Sequence, residues 1–243
     1  MKKYTVNEIF WSPQGEGIRA GEMSLFIRFT GCNLQCRVEE GKNSIGGFDC
    51  DTEFESGKKY TLEELVAEAV STVPMNKEWF KHNKAWIVFT GGEPALQIDR
   101  DLIDAIHKVG FLCAIETNGS KCVDGLGLDW ITVSPKVAEH AVRQMTATEV
   151  KYVRGHGQGL PIPSCNAKFK LLSPAFNGLV IDRKALESCV QLIKENPMFY
   201  VEMPKHDVNM KKTKDDLKIF TYSEFKKMID FVQPNNSFYI PMM

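Results

Sequence analysis

The sequence contains no apolar run approaching the roughly 18 residues that a bilayer-crossing helix needs. Its opening, Met1-Lys2-Lys3-Tyr4, passes directly into a strand-like segment without the hydrophobic stretch of a signal peptide. A cytoplasmic protein is therefore the expectation, with no membrane partner. An excess of charge of one sign is also missing. Lys and Arg number 30 against 31 for Asp and Glu, a net charge of -1, so nothing in the balance calls for a polyanion and no nucleic-acid partner is expected. Internal repeats and low-complexity tracts are absent too. What is present is 243 residues, 43% hydrophobic and 25% charged, long enough for one α/β domain with a sizeable core.

Seven cysteines make an odd number, and no secretory signal accompanies them, so a disulfide framework is not expected. Cys113 lies in the apolar run 111–115 and Cys189 in a helical pattern, and both read as small core residues. Cys122 and Cys165 have no ligand-like neighbours. Cys32, Cys36 and Cys50 differ: they follow the apolar segment 24–29 directly. Three thiolates can hold three irons of a four-iron cluster and leave the fourth iron open, and an open iron is a reaction site. A structural zinc site completed by a ligand from elsewhere is the plainer alternative.

Short apolar runs recur at 25–29, 85–89, 112–115, 130–133, 150–153, 169–172 and 200–203, alternating with helical patterns. That alternation predicts parallel βα units. Thr61-Leu62-Glu63-Glu64 is a capping box ahead of an apolar face formed by Leu62, Leu65, Val66, Ala69, Val70 and Val73. A second helix is predicted over about 101–109 and stopped by Gly110, a third carries Leu186, Val190 and Ile193, and a last one is expected around Phe225 to Val232.

Four polar or glycine-rich motifs each sit just past one of these strands, at the end of a parallel sheet where ligand sites are built. They are the cysteine loop, Thr90-Gly91-Gly92-Glu93-Pro94, Glu116-Thr117-Asn118-Gly119 and Ser134-Pro135-Lys136. The paired glycines let a ligand approach the backbone, and Glu93 can receive a cationic group.

In this order, the motifs resemble those of the radical S-adenosylmethionine enzymes. With Gln14-Gly15-Glu16-Gly17 ahead of the cysteine loop, the chain is more narrowly similar to the 7-carboxy-7-deazaguanine synthase family of queuosine and 7-deazapurine biosynthesis, from about residue 5 to about residue 210. The resemblance implies an α/β core, an incomplete TIM-like barrel, over 1–210, with an insertion at 37–48 in the cluster loop. It leaves 211–243 as an extension packed on the same domain. The insertion follows from spacing: the superfamily usually places its cysteines as C-x₃-C-x₂-C, whereas here residues 37–49 separate Cys36 from Cys50.

By this resemblance Cys32, Cys36 and Cys50 hold a [4Fe-4S] cluster, whose open iron is chelated by S-adenosylmethionine. One-electron cleavage then releases a 5′-deoxyadenosyl radical. Phe48, Asp49, Gly92, Glu93, Glu116, Asn118, Ser134, Pro135, Lys136 and Ser173 match the S-adenosylmethionine site, Phe48 standing in for the aromatic residue that usually precedes the last cysteine. Pro13, Gln14, Gly15, Glu16, Arg28, Thr90 and His206 match the substrate site, and Thr52 matches a Mg²⁺ ligand. Glu16 and Gln14 suit the amide-like edge and amine of a pterin, and Arg28 suits a carboxylate. No catalytic acid or base is assigned. The implied reaction is conversion of 6-carboxy-5,6,7,8-tetrahydropterin to 7-carboxy-7-deazaguanine with loss of ammonia, by a homodimer fed by a flavodoxin- or ferredoxin-like electron donor. Two rival readings stand beside it: a glycyl-radical activase, and a non-catalytic zinc-binding scaffold.

Overall fold

The computed structural model describes residues 2–34, 36, 49–50, 52–74, 84–177 and 180–201. Phe48, the insertion at 37–48, His206, the extension at 211–243 and the helix expected around 225–232 lie outside them. Nine strands form one sheet: β1 (Tyr4–Pro13), β2 (Met23–Phe29), β3 (Lys58–Tyr60), β4 (Trp86–Gly91), β5 (Leu112–Thr117), β6 (Trp130–Val133), β7 (Thr146–Arg154), β8 (Asn166–Pro174) and β11 (Tyr200–Val201). Their order is β11-β8-β7-β6-β5-β4-β2-β1-β3. The apolar runs marked in the sequence fall in the parallel strands β2, β4, β5, β6, β7, β8 and β11, with Ala85 just ahead of β4 and residues 202–203 outside the described residues. A separate two-stranded ribbon joins β9 (Phe176–Asn177) and β10 (Val180–Ile181).

The sheet is thus mostly parallel, with one departure from the expected pattern. β1 runs antiparallel to β2, with β3 antiparallel on its far side. Its segment Asn7-Glu8-Ile9-Phe10-Trp11 carries an apolar run of only three residues, so its place in the sheet depends on its long-range partner. The hairpin it makes with β2 carries the Gln14–Gly17 motif at its turn. That turn is closed by Gln14 N donating to Glu22 O (2.8 Å) and Gly21 N donating to Gln14 O (2.7 Å).

Helices cover one face. α1 (Leu62–Thr72) begins at the expected capping box: Glu64 N donates to Thr61 Oγ1 (3.2 Å) and Thr61 N donates to Glu64 Oε2 (2.8 Å). Leu65 and Ala69 go inward, whereas Val70, read as part of the apolar face, is exposed. α2 (Arg100–Lys108) is capped by Asp99 and buries Leu102, Ile103 and Ile106. α3 (Arg183–Glu195), capped by Asp182, buries Leu186, Cys189 and Ile193. These side chains meet Leu25, Ile27, Phe29, Ile87, Phe89, Cys113 and Ile115 in one core, and Val133, Val150, Tyr152 and Leu172 in another.

The alternate residues of the same strands line the opposite face. Near its base lies an aromatic layer. Phe10 stacks on Phe26 (5.0 Å between centroids), Trp86 meets Trp130 edge-on (6.3 Å), Trp130 stacks on Phe169 (6.3 Å), and Phe169 meets Tyr200 (6.4 Å). Trp86 and Trp130 sit on strands separated by β5, and they touch because β5 offers only Ala114 between them. Further along the strands this face becomes polar, with Arg28, Thr90, Glu116, Thr132, Glu149 and Lys151. A parallel sheet needs both faces covered, and here one is covered by helices and the other by its own side chains and the β1–β2 turn.

Candidate active site

The cysteine loop is held from three directions. Gly31 N donates to Phe54 O (2.7 Å), bringing the segment after Cys50 back to the loop's start, and Glu93 N donates to Gly31 O (2.9 Å). Most telling, Cys50 N donates to Cys36 O (2.9 Å), so the two cysteines that are distant in sequence are paired through their backbones. Cys32 Sγ accepts from Leu34 N (3.4 Å) and Asn118 Nδ2 (3.9 Å). Burial pushes the Cys32 and Cys36 thiols up, an effect opposed by the Leu34 N–H at Cys32 and by the Lys136 ammonium at Cys36. Three soft sulfur donors on one loop, Cys32 with two N–H groups directed at its sulfur, fit an iron–sulfur cluster, which would take the protons' place and relieve that burial penalty.

The Gly-Gly-Glu-Pro turn lies against this loop. A Cβ built on Gly92 would collide with the Gly31 carbonyl, so only glycine permits this approach. Glu93 was expected to receive a cationic group, but its carboxylate is fully enclosed and its oxygens accept from Ala95 N (2.9 Å), Thr117 Oγ1 (2.7 Å) and Asn118 N (2.7 Å). It ties the turn after β4 to the end of β5. Burial raises its pKa, with those three donors opposing. Asn118 reaches back to the cysteine loop, donating to Asn33 Oδ1 (3.3 Å). Past β6, Ser134 N donates to Thr117 O (2.8 Å), and Lys136 Nζ donates to Ser134 Oγ (3.2 Å). Pro135 lies between them, and Ser173 is buried near the end of β8.

The turn between β1 and β2 folds over the polar part of the inner face, and side chains from the sheet hold it there. Gln14 is buried; its Nε2 donates to Glu116 Oε1 (2.9 Å), and its Oε1 accepts from Glu16 N (3.1 Å). Thr90 Oγ1 donates to the other Glu116 oxygen (3.0 Å), so Glu116 joins two residues expected at the substrate. Glu16 pairs with Lys151 of β7. Ile18 N donates to Glu149 Oε2 (3.0 Å), whose Oε1 accepts from Thr132 Oγ1 (2.8 Å). Gly17 has φ +71°, and a Cβ there would strike the Glu149 carboxylate, which explains the second glycine of the motif. Arg19 lies over Trp86 (4.3 Å to the ring centroid) and Trp130 (5.6 Å), 4% exposed, and its Nε and Nη1 have no hydrogen-bond partner among the described residues.

Arg28, at the cross-strand position opposite Glu8, donates through Nε to Glu8 Oε1 (2.8 Å). Asp49, just before Cys50, is exposed and Thr52, shortly after it, half-buried, while Pro13 at the end of β1 and Gly15 on the turn flank Gln14. Glu149, Lys151, Glu8 and Arg19 escaped sequence reasoning. In β7 the alternation Glu149-Val150-Lys151-Tyr152 reads as a strand with its charges in solvent, whereas those charges face the polar interior. His107, Cys113 and Asp129 gather near the other end of β5. There Asp129 Oδ2 accepts from Cys113 N and lies 2.8 Å from His107 Nε2, joining α2 to the sheet.

No family model matches the chain. It is 40% identical over 187 residues to the 7-carboxy-7-deazaguanine synthase of Bradyrhizobium diazoefficiens, covering 76% of this chain and 81% of the relative. To the enzyme of the same name from Burkholderia multivorans it is 44% identical over 139 residues, 55% of this chain and 63% of the relative. The fold resembles the crystal structure of QueE from Escherichia coli, with a TM-score of 0.56 and 23% identity over 84% of this chain and 95% of that one. No helix among the described residues is long and apolar enough to cross a membrane.

Proposed function

The chain belongs to the 7-carboxy-7-deazaguanine synthase family, and from that premise we propose how its residues share the work. It is a radical S-adenosylmethionine lyase that converts 6-carboxy-5,6,7,8-tetrahydropterin to 7-carboxy-7-deazaguanine, with loss of ammonia, in 7-deazapurine and queuosine biosynthesis. The observation that carries the assignment of roles is the return of Cys50 to Cys36 beside the Gly-Gly-Glu-Pro turn, with the Gln-Gly-Glu-Gly turn folded over the inner face and bonded through Gln14 to Glu116 near the end of β5.

Cys32, Cys36 and Cys50 hold the [4Fe-4S] cluster. Bound there, the cluster and S-adenosylmethionine supply the electron and the carbon-centred radical that takes a hydrogen atom from the substrate. The chain's own task is to orient both ligands and exclude water. Gly92, Asn118, Ser134, Pro135, Lys136 and Ser173 hold S-adenosylmethionine, with Phe48 and Asp49 beside it. Glu93 acts from beneath, through Thr117 and Asn118.

Glu16 takes the amino-amide edge of the pterin, Gln14 offers its second amide hydrogen, and Pro13, Gly15 and Thr90 complete that wall, with His206 nearby. Arg28 keeps its two Nη groups for the substrate carboxylate while Glu8 holds Nε. Thr52 would supply a hard oxygen to Mg²⁺, whose charge would help to neutralise that carboxylate. One-sided helices and the Trp86–Trp130 contact across Ala114 support a sheet curved into an incomplete barrel around this chamber. The same reading makes the enzyme a cytoplasmic homodimer, served by a flavodoxin- or ferredoxin-like donor.

The test is direct. Protein reconstituted with iron and sulfide, given reductant, S-adenosylmethionine, magnesium and the carboxypterin, will yield the deazaguanine carboxylate, identified by mass and ultraviolet spectrum. Cleavage of S-adenosylmethionine without that product would favour the activase, and zinc without iron or sulfide would favour the scaffold.

A further inference from the structure

Lys151 is a basic side chain that the reaction as described leaves without a task. It sits on the inner face of β7 with its side chain 10% exposed, and its ammonium pairs with Glu16, whose own side chain is 53% exposed. The asymmetry is informative. A nearly buried ammonium needs an anion beside it. Glu16, on a turn, would otherwise be free to sample several rotamers. Pairing with a residue fixed in the sheet selects one of them and leaves the outer half of the carboxylate open to the chamber. The neighbouring acid is already engaged, since Glu149 accepts from Ile18 N and Thr132 Oγ1. Glu116 is likewise taken by Gln14 and Thr90.

From this geometry we infer that Lys151 is a positioning residue for substrate recognition, holding Glu16 in the single orientation that accepts two adjacent N–H donors from a flat amino-amide heterocycle. The inference rests on the pterin reading above and names the residue through which its recognition acts. Two parallel N–H···O bonds to an ionised carboxylate require both the charge and the orientation. Lys151, with Lys136 adding to it, also holds the Glu16 pKa below the ordinary carboxylate range, so the acceptor form persists in the partly desolvated chamber.

The test measures equilibrium binding of the carboxypterin to reconstituted enzyme with S-adenosylmethionine but no reductant, alongside steady-state turnover. Lys151→Met is expected to weaken binding and raise KM about tenfold or more, with kcat at saturation changed by no more than about twofold. Lys151→Arg, which keeps the charge, should recover binding to within about threefold. In a Glu16→Gln background Lys151→Met should cost nothing further, because the effect passes through Glu16. Equal losses in both backgrounds, no recovery with arginine, or native affinity in Lys151→Met would each overturn the proposal. Wild-type enzyme that forms no product would instead sink the substrate reading itself.

Discussion

At the scale of single residues, the site depends on side chains that saturate one another before any ligand arrives. Glu53 is an example just past the cysteine loop. It accepts from Glu55 N (2.6 Å), Ser56 N (2.9 Å) and Ser56 Oγ (2.8 Å), and it also holds Asn7 of β1. The Ser56 backbone N–H, with these other donors, lowers its pKa from 4.5 to about 2. A carboxyl with a depressed folded-state pKa stabilises fully above its unfolded value and loses that contribution as pH falls through the folded one. The gap in denaturation midpoint between wild type and Glu53→Gln should therefore be widest above pH 4.5 and close towards pH 2. A gap independent of pH would mean that the ionised form carries none of the effect. The individual charges that matter most here, Glu149 and Lys151, were hidden in the sequence because alternation alone does not tell a polar interior from solvent.

At the scale of elements, legibility followed from whether the physics was local. The α1 capping box needs only residues 61–64, and both of its reciprocal bonds are present. Thr61→Ala removes the side-chain acceptor for Glu64 N and should cost about 1 kcal/mol, read as a lower urea midpoint with unchanged slope. The parallel strands were visible as apolar runs because their outer faces are buried under helices. β1 showed only as a strand-like segment, and its antiparallel place is decided by pairing with β2 rather than by its own pattern. Val70 shows the limit of periodicity on a short helix: it continues the stripe of α1 but lines an open groove with Ala105 and Val109.

At the scale of the whole molecule, two chemically different layers share one sheet face. The aromatic layer forms a base of packed rings, and in the proposed function the polar layer above it does the recognition. Ala114 is the small residue that lets Trp86 and Trp130 meet and gives Arg19 its platform. Ala114→Leu should therefore overpack the base, costing about 1–3 kcal/mol in chemical denaturation. It should also weaken carboxypterin binding by displacing the turn that bears Gln14 and Glu16. Native stability in that variant would mean the two tryptophans are not in contact. The four motifs that follow β2, β4, β5 and β6 share one edge of the sheet, because each begins where a parallel strand ends. The base carries no motif and could be seen only once the strands were set side by side.

The bond from Cys50 N to Cys36 O works as a clasp. With the two ends fastened by a backbone bond, the approach of Cys36 to Cys50 no longer depends on how many residues run between them. Lengthening such a closed segment is cheap, about 0.6 kcal/mol for each doubling. The chain therefore has a graft point beside two of its cysteines, where residues can be gained or lost without unfastening the pair.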